Sequence, residues 1–453
     1  MRIEVLGAAS GEVTGSAFAV TGKKAQVLVD CGLFQGKKND VRNFSLNSHD
    51  PNQFDAVLDT HIHADHIGKL PYFARTKANV YMTHPSKPLA KILLENSEDL
   101  SPELYAPGSV NAVLKKIEGV DYGKKITSIN GMTVTFRDAG HILGSASIEL
   151  LDENGDLVVF SGDLGNGTSR IIRPGEFIRE ANVVVMETTY GDRFHPEEDP
   201  KEIILEAIKR IKKTNGTLLI PSFAIDRTQI ILSILRELSK SGKLGIPVYL
   251  DSPMAIKATS VYADYYKLLN ENLGDKNAFN FPGLRNIFEG SESKQISGDG
   301  PKIIIAGSGM MAGGRIIRHA PNYLSDPKSA ILFVGFATEG SLGRAIIDGD
   351  KDVEIKGKSV PVNATVFQTS GLSAHADQGK LLSWLKHIQA GNRYLRKVIL
   401  VHGNDNARNE FANLIRTELG INDVCLPAEN DTIDLDFKNN YSQVSNEALI
   451  QSR

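Results

Sequence analysis

The stretch Thr60-His61-Ile62-His63-Ala64-Asp65-His66 decides the fold, because it places four potential metal ligands within six residues. It directly follows a predicted strand at residues 56–59, so these side chains face one point only if a tight loop carries them. Imidazole suits zinc, and a carboxylate completes a site for two metal ions. The alternative is a solvated, histidine-rich turn without ligands, which does not explain why similar residues recur along the chain.

Three further ligand-type residues each follow a predicted strand and have a glycine close by. They are His141 in Asp138-Ala139-Gly140-His141, Asp163 in Phe160-Ser161-Gly162-Asp163, and His402 in Leu400-Val401-His402-Gly403. Reactive groups gather at strand ends in layered α/β folds, and glycine allows close backbone approach. Together with the first stretch they supply seven ligands, enough for two metal ions with room for water.

The composition is that of a soluble globular protein with two or three domains. The chain has 453 residues, 41% hydrophobic and 23% charged, with a formal net charge of -3. It is not a polycation, so nucleic-acid binding requires positive charge concentrated in a groove or at metal ions. Two cysteines, Cys31 and Cys425, are too few for a disulfide framework or a cysteine zinc site. No secretory signal or membrane span is visible, which predicts a cytoplasmic protein without a membrane partner.

The type and order of the predicted elements change along the chain and divide it into three segments. Short strands dominate first, at residues 25–29, 56–59, 132–137, 147–151, 157–161 and 183–187. Helices and strands then alternate, at residues 201–213, 217–221, 227–239, 246–250, 302–306 and 330–334, which indicates a parallel sheet. We expect a first domain at 1–194 that resumes at 361–453, and a second domain at 195–360. Residues 273–299 are expected to form a mobile loop, residues 365–368 a strand of the resumed domain, and residues 441–453 a fraying tail.

This set of motifs resembles the metallo-β-lactamase superfamily. The first histidine stretch, His141, Asp163 and the early Asp30 match its pattern, while Glu187 in Glu-Thr-Thr-Tyr-Gly, His375 in Ser-Ala-His-Ala-Asp and His402 resemble its β-CASP nuclease branch. The middle segments Pro221 to Arg227, Ser308 to Met310 and Gly335 to Arg344 are similar to the stand-alone prokaryotic RNA-cleaving members, relatives of the endonuclease that trims pre-mRNA 3′ ends. The resemblance implies an α/β fold, an αββα sandwich with an inserted parallel α/β β-CASP domain.

The resemblance also implies a ligand set for two Zn²⁺ ions, with Mn²⁺ as the alternative. His61, His63 and His141 would hold one ion, Asp65, His66 and His402 the other, and Asp163 would bridge them. A hydroxide shared by two ions attacks the phosphorus in line and leaves a 5′-phosphate and a 3′-hydroxyl.

Supporting roles follow for three more residues. Asp30 would hydrogen-bond a ligand histidine and fix its tautomer, unless it is an ordinary strand-end turn residue. Glu187 would orient His402 or His375, unless it is a buried structural carboxylate. His375 would donate a proton to the leaving 3′-oxygen or clamp the phosphate, as histidine does near neutral pH. The remaining histidines, at positions 49, 84, 195, 319 and 387, are predicted surface or helix-cap residues.

Phosphate binding is expected at a glycine-rich turn and at two arginines. Ser308 and Gly309 stand between a predicted strand and Gly313-Gly314, where backbone N–H groups form anion nests, although a turn without function has the same pattern. Arg227 and Arg344 would hold flanking phosphates bidentately, or else form salt bridges.

Three functional classes fit these motifs to different degrees. The first is a ribonuclease of RNA processing or decay that cuts single-stranded RNA. The sequence leaves open whether it cuts endonucleolytically, from the 5′ end, or both. His402 favours RNA because DNA-cleaving relatives tend to carry valine there. A thioester or lactam hydrolase explains the histidines but not the inserted domain. A non-catalytic RNA-binding subunit does not explain the complete ligand set. A homodimer is compatible with all three classes.

Overall fold

Two seven-stranded sheets face each other in the computed structural model, which describes residues 1–36, 40–46, 49–296, 300–335 and 337–435. The first sheet has the order β22-β1-β2-β3-β4-β5-β6 and the second has the order β21-β20-β11-β10-β9-β8-β7. Their strands before the insertion are β1 Arg2–Val5, β2 Phe18–Thr21, β3 Gln26–Val29, β4 Ala56–Leu58, β5 Asn79–Thr83, β6 Ile117–Val120, β7 Lys125–Ile126, β8 Met132–Asp138, β9 Ala146–Asp152, β10 Leu157–Phe160 and β11 Val183–Glu187. Those after it are β20 Lys397–Val401, β21 Val424–Cys425 and β22 Thr432–Asp434.

Helices cover the outer face of each of these sheets. They are α1 Ala64–Ile67, α2 Ser86–Leu100 and α3 Ser109–Leu114 on the first sheet, and α10 Gln378–Gln389 and α11 Asp405–Leu419 on the second. Single 3-10 turns lie at Val41–Phe44, Pro51–Gln53, Leu70–Phe73 and Pro102–Leu104. None of the helices within the described ranges is long and apolar enough to cross a lipid bilayer.

Both faces of the first sheet are buried, and alternate side chains of each strand point to opposite faces. In β3, Val27 and Val29 point between the sheets towards Val158 of β10, while Leu28 packs on the helical side. A strand covered on both faces reads as a continuous apolar run, as Val27 to Val29 does. The layers therefore run helix, sheet, sheet, helix, which confirms the expected αββα sandwich.

A third, wholly parallel sheet is inserted between β11 and β20. Its order is β14-β13-β15-β12-β16-β19, and a two-stranded hairpin of β17 and β18 follows α9. The elements are α4 Pro200–Thr214, β12 Thr217–Pro221, α5 Arg227–Lys240, β13 Val248–Asp251, α6 Pro253–Asp264, β14 Leu284–Asn286, α7 Gly290–Lys294, β15 Lys302–Ala306, α8 Ile316–Leu324, β16 Ala330–Phe333, α9 Leu342–Asp348, β17 Asp352–Ile355, β18 Lys358–Pro361 and β19 Thr365–Gln368, with 3-10 turns at Tyr266–Leu268 and Glu271–Leu273.

Two expectations about this insertion need correction. Residues 365–368 were expected in the resumed first domain, but β19 pairs in parallel with β16, so hydrogen bonding joins it to the inserted sheet. We propose 195–368 as the bounds of the inserted unit. The segment 273–299 was expected to be a mobile loop, but its described part contains β14, paired with β13, and α7. The expected fraying at 441–453 lies outside the described residues.

The site-bearing loops meet at one edge of the two-sheet sandwich. β10, β11 and β20 are parallel neighbours, with Glu187 opposite Val401, so the loops after these strands emerge side by side. The loop after β4 emerges from the facing sheet. This edge therefore receives Asp163, Glu187 and His402 from one sheet and the stretch from His61 to His66 from the other.

Candidate metal centre

The histidine stretch forms a tight loop that leads directly into α1. His63 stands before the first helical residue, and Asp65 and His66 lie in the single turn of α1. The loop is held from outside, because Ser16 N–H donates to Asp65 O at 2.8 Å and Cys31 N–H donates to His66 O at 2.6 Å. A side chain at Gly32 would lie 1.7 Å from Asp65 O, so only glycine permits this approach.

One group of four side chains converges on a point beside this loop. His61 Nε2 lies 3.0 Å from His63 Nδ1, and His141 Nε2 lies 3.4 Å from that same atom. Asp163 Oδ2 lies 3.4 Å from His61 Nε2 and 3.7 Å from His141 Nε2. One nitrogen or oxygen atom from each of the four lies within 4.8 Å of the others, a separation that a single metal ion can span.

A second group lies on the other side of Asp163. Asp65 Oδ2 lies 3.6 Å from His402 Nε2, and ligand atoms of Asp65, His66 and His402 lie within 4.8 Å of one another. Asp163 Oδ1 lies 3.5 Å from His66 Nε2 and 3.6 Å from His402 Nδ1. The two oxygens of Asp163 thus face different histidine groups, which is the arrangement of a bridging carboxylate.

The outer nitrogens of two second-group histidines have protein partners. Asp30 Oδ2 lies 2.8 Å from His66 Nδ1, while Asp30 Oδ1 accepts from Thr60 N–H at 2.8 Å. Asp30 adopts φ 58° at the end of β3, which aims its carboxylate across to the loop. Thr189 Oγ1 lies 3.0 Å from His402 Nδ1. Such partners hold a ligand imidazole in one orientation and tautomer.

The electrostatics of the two groups differ. Burial, followed by the neighbouring imidazoles, lowers the pKa of His61 and His141 well below its usual value, and burial lowers the pKa of His63 to about 4. Burial would also lower the pKa of His66, but Asp163 and Asp30 outweigh it and raise this pKa to about 10. The first group therefore presents neutral imidazoles, the metal-binding form, whereas metal binding at the second displaces a proton.

Two buried atoms of the donor set fit a bound metal. Within the described residues, the buried atoms Asp163 Oδ1 and His402 Nε2 have no hydrogen-bond partner. Buried polar atoms without partners are rare in proteins, and coordination to a cation would satisfy both. The mixture of imidazole nitrogens and carboxylate oxygens is the set that zinc accepts.

His375 and Glu187 form a pair next to the first group. Glu187 is buried, and its two oxygens lie 3.3 and 3.2 Å from His375 Nδ1. The His375 ring centre lies 4.5 Å from that of His141. Burial lowers the pKa of His375, but Glu187 and Asp163 outweigh it and raise this pKa to about 9. Of the two partners expected for Glu187, the hydrogen bond is to His375.

The residues expected to bind phosphate lie at the carboxyl end of the inserted sheet. Ser308 Oγ is buried without a hydrogen-bond partner in the described chain, but Ser308 N–H donates to Gly313 O within the turn, so this amide is not free for an anion. A side chain at Gly309 would lie 2.7 Å from the ring of Phe223. Arg227 donates to Val334 O, and Arg344 pairs with Asp348 at 2.9 Å one turn along α9.

The prediction of a surface or helix-cap position is wrong for His319, and His195 is only partly exposed. His319 is buried, and its Nε2 lies 2.7 Å from Asp251 Oδ2, which also accepts from Ser293 Oγ at 2.6 Å. His195 is half-buried, and its Nε2 lies 2.9 Å from the backbone oxygen of His375. Their partners are distant in sequence, which is why local pattern gave no signal. Tyr190 could have been found from the sequence, because it lies in the motif Glu-Thr-Thr-Tyr-Gly. Its ring centre lies 6.1 Å from that of His375.

Comparison with known proteins places this geometry in a family. The Metallo-beta-lactamase superfamily model matches residues 10–177, the Beta-Casp domain model residues 228–346, and the model of a Zn-dependent metallo-hydrolase RNA specificity domain residues 359–427. A solved structure, a protein of unknown function from Enterococcus faecalis V583, shares the fold with a TM-score of 0.58 at 12% identity, over 96% of this chain and 99% of that one.

Curated relatives match over most of the chain. Ribonuclease TTHA0252 of Thermus thermophilus is 38% identical over 89% of this chain and 94% of its own length. An RNase J-like protein of Methanocaldococcus jannaschii is 31% identical over 90% of this chain and 93% of its own length, and the transcription termination factor FttA of that organism is 31% identical over 92% and 69%. The chain therefore belongs to the metallo-β-lactamase superfamily, in its β-CASP branch.

Proposed function

We propose that this protein is a zinc-dependent ribonuclease that hydrolyses RNA phosphodiester bonds with two metal ions. The observation that carries the proposal is the position of Asp163, whose two oxygens face two separate groups of ligand side chains. A single structural metal would need only one such group. Relatives named as ribonucleases support RNA as the substrate, since they align over nearly their whole length.

Each ligand group would hold one ion. His61, His63 and His141 hold the first and Asp65, His66 and His402 the second, with Asp163 shared. Metal ions held there would supply an activated water and positive charge to offset the charge of the attacked phosphate. Asp30 and Thr189 keep His66 and His402 in the orientation that binding requires.

The protein's own acid is His375. Its Nδ1 faces Glu187, which leaves Nε2 as the nitrogen available to substrate. A protonated imidazole placed at the leaving 3′-oxygen supplies the proton that this oxygen needs when the P–O bond breaks. Glu187 stabilises the protonated form, because it raises the pKa of His375 against the effect of burial.

Selectivity for a polymer would come from the inserted unit. The turn with Ser308 and the side chain of Arg227 lie at the carboxyl end of the inserted sheet, and the ring centre of Tyr190 lies 6.1 Å from that of His375. These positions support a phosphate track that begins at the inserted sheet and ends at the metal centre. Arg344 stays a predicted phosphate ligand on the same side, since the neighbouring Gly343 N–H donates to Met310 O in the Ser308 turn.

The test is cleavage of end-labelled single-stranded RNA by the metal-loaded chain, together with metal analysis. We expect Asp65→Ala and His66→Ala to abolish cleavage while RNA binding is retained, because the lost side chains hold metal and do not grip the polymer. His387→Ala is the matched control, since His387 is exposed on α10. Cleavage that survives in both ligand variants, or one zinc per chain in the wild type, would refute the proposal.

The 5′ end of the labelled RNA separates the modes of cutting. Substrates with a 5′-triphosphate, monophosphate or hydroxyl are cut equally by an endonuclease. A 5′-exonuclease instead discriminates among the three ends and releases nucleotides progressively. We propose endonucleolytic cutting with additional 5′-exonucleolytic activity, and equal, single internal cuts on all three substrates contradict the second part.

A further inference from the structure

Two connections join the inserted unit to the sandwich, and they run side by side. The outgoing connection, residues 188–199, leaves β11, and the return connection, residues 369–377, leads from β19 to α10. Neither contains a helix or a ladder strand, so hydrogen bonds outside regular structure set their shape. The return connection carries His375.

Glu198 of the outgoing connection binds the beginning of the return connection. Its Oε1 accepts from Thr369 Oγ1 at 2.7 Å, from Ser370 N–H at 2.6 Å and from Gly371 N–H at 2.7 Å. Burial would raise the pKa of Glu198, but these hydrogen bonds outweigh it and lower the pKa. One carboxylate oxygen therefore holds three consecutive residues, and charge-assisted bonds of this kind are stronger than neutral ones.

His195 of the outgoing connection binds the return connection at His375 itself. The His195 Nε2–H donates to the backbone oxygen of His375 at 2.9 Å, and His195 N–H donates to Asp377 Oδ2 at 3.4 Å. Its ring packs edge-on against Tyr190, with ring centres 4.7 Å apart. On the opposite side, Ala376 N–H donates to Leu164 O at 2.7 Å. The backbone of His375 is thus held from two sides.

We propose that Glu198 and His195 form a clasp between the two connections that positions His375 for catalysis. This inference rests on the proposed function, because it takes His375 to be the group that acts on the substrate. Glu187 orients the imidazole ring of His375, whereas the clasp fixes the position of the His375 backbone. A loop without regular structure wanders by an ångström or more when such anchors are lost, and displacement of a catalytic group by that distance lowers the rate by up to about a hundredfold.

The first experiment compares variants at the clasp by their kinetics on labelled RNA. Glu198→Ala removes the acceptor of all three bonds, and we expect kcat to fall about tenfold or more with KM changed less than about twofold. Glu198→Gln keeps an oxygen at the Oε1 position and should recover most of the rate. Glu197→Ala is the matched control, because Glu197 is the exposed neighbour. Zinc content should be the same in all variants.

The decisive comparison is made in a His375→Ala background. If the clasp acts through His375, Glu198→Ala should then change kcat less than about twofold, since coupled residues are not additive. An equal loss in both backgrounds, or wild-type kcat in Glu198→Ala, would overturn the proposal.

A second readout does not depend on activity. Hydrogen–deuterium exchange of the peptide covering residues 369–377 should accelerate in Glu198→Ala and stay unchanged in Glu198→Gln and Glu197→Ala. Unchanged exchange in Glu198→Ala refutes the clasp. If exchange responds as expected but the metal-loaded wild type does not cleave RNA, the proposed function fails while the contact between the connections stands.

Discussion

Asp226 gives a prediction that links stability to pH at the contact between the inserted unit and the metal centre. Its carboxyl is 3% exposed, and its backbone adopts φ 67° just before α5. The phenol of Tyr262 acts to lower the pKa of this carboxyl, and its oxygen accepts from Leu143 N–H at 3.4 Å. Leu143 stands two residues after His141. The inserted unit therefore reaches the loop of the proposed ligand His141 through the phenol of Tyr262.

The magnitude follows from the pKa of Asp226. Burial raises this pKa from 3.8 to about 7, against the opposing effects of Arg227 and Tyr262. Folding therefore takes up a proton between these two values, and the free energy of unfolding falls as pH rises through this interval and levels off above it. At 1.36 kcal/mol per unit, the full change is about 4 kcal/mol, and the part between pH 5 and pH 8 is roughly 3 kcal/mol.

Asp226→Asn removes the ionisation but keeps the size and shape of the side chain. Relative to wild type, the variant should therefore gain roughly 3 kcal/mol of unfolding free energy between pH 5 and pH 8. Urea unfolding of the whole chain, followed by circular dichroism at several pH values, measures this difference. Other titrating groups, the metal ligands included, affect both proteins and cancel in the comparison.

Asp264→Asn is the matched control, because Asp264 is exposed on the same helix as Tyr262. It should follow the wild-type pH dependence. If Asp226→Asn also follows it, the carboxyl ionises as freely in the folded protein as in the unfolded chain, and the reasoning from burial is wrong.

Two further predictions concern contacts around the candidate metal centre, and a third concerns an ion pair within the inserted unit. Tyr262→Phe removes only the hydroxyl between Asp226 and Leu143, and zinc affinity should fall about tenfold in competition with a chelator, whereas unchanged affinity contradicts the link. Asp163→Ala should lose both ions in metal analysis, and retention of one full equivalent would show that Asp163 does not bridge. Asp251→Ala leaves Arg315, now paired with it at 2.7 Å, without its counterion, and should cost about 3–5 kcal/mol in urea unfolding; a cost below about 1 kcal/mol contradicts this.

The convergence of the ligands was predictable because they obey a local rule. His61, Asp163 and His402 each follow a strand whose apolar run marks it plainly, and β11 has the predicted bounds. Loops after parallel neighbouring strands emerge at the same edge of a sheet, so strand-end position in the sequence translates into proximity in space. The order of the strands in each sheet came from the family resemblance, because hydrophobic periodicity alone does not show which strands are neighbours.

The residues that sequence reasoning missed act through partners far along the chain. His319 pairs with Asp251, and the role of His195 depends on a backbone oxygen 180 residues away. Neither residue type nor spacing encodes such a contact. β19 was assigned to the wrong sheet for a related reason: a short strand of alternating exposure fits an edge position in either sheet, and only its parallel pairing with β16 decides.

The order of elements has a consequence for how the metal centre is completed. His61, His63, His141 and Asp163 all precede the insertion, so the first ligand group is complete before it, whereas His375 and His402 follow it. β20 pairs in parallel with β11, and this pairing brings His402 to the edge where Asp65 and His66 already lie. The second ligand group and the proposed acid therefore assemble only when the chain returns from the inserted unit and docks against β11. We therefore expect cleavage to require that the inserted unit, which we propose binds the RNA, is correctly packed against the sandwich. The return connection serves both purposes, because it joins the inserted unit to the sandwich and carries His375.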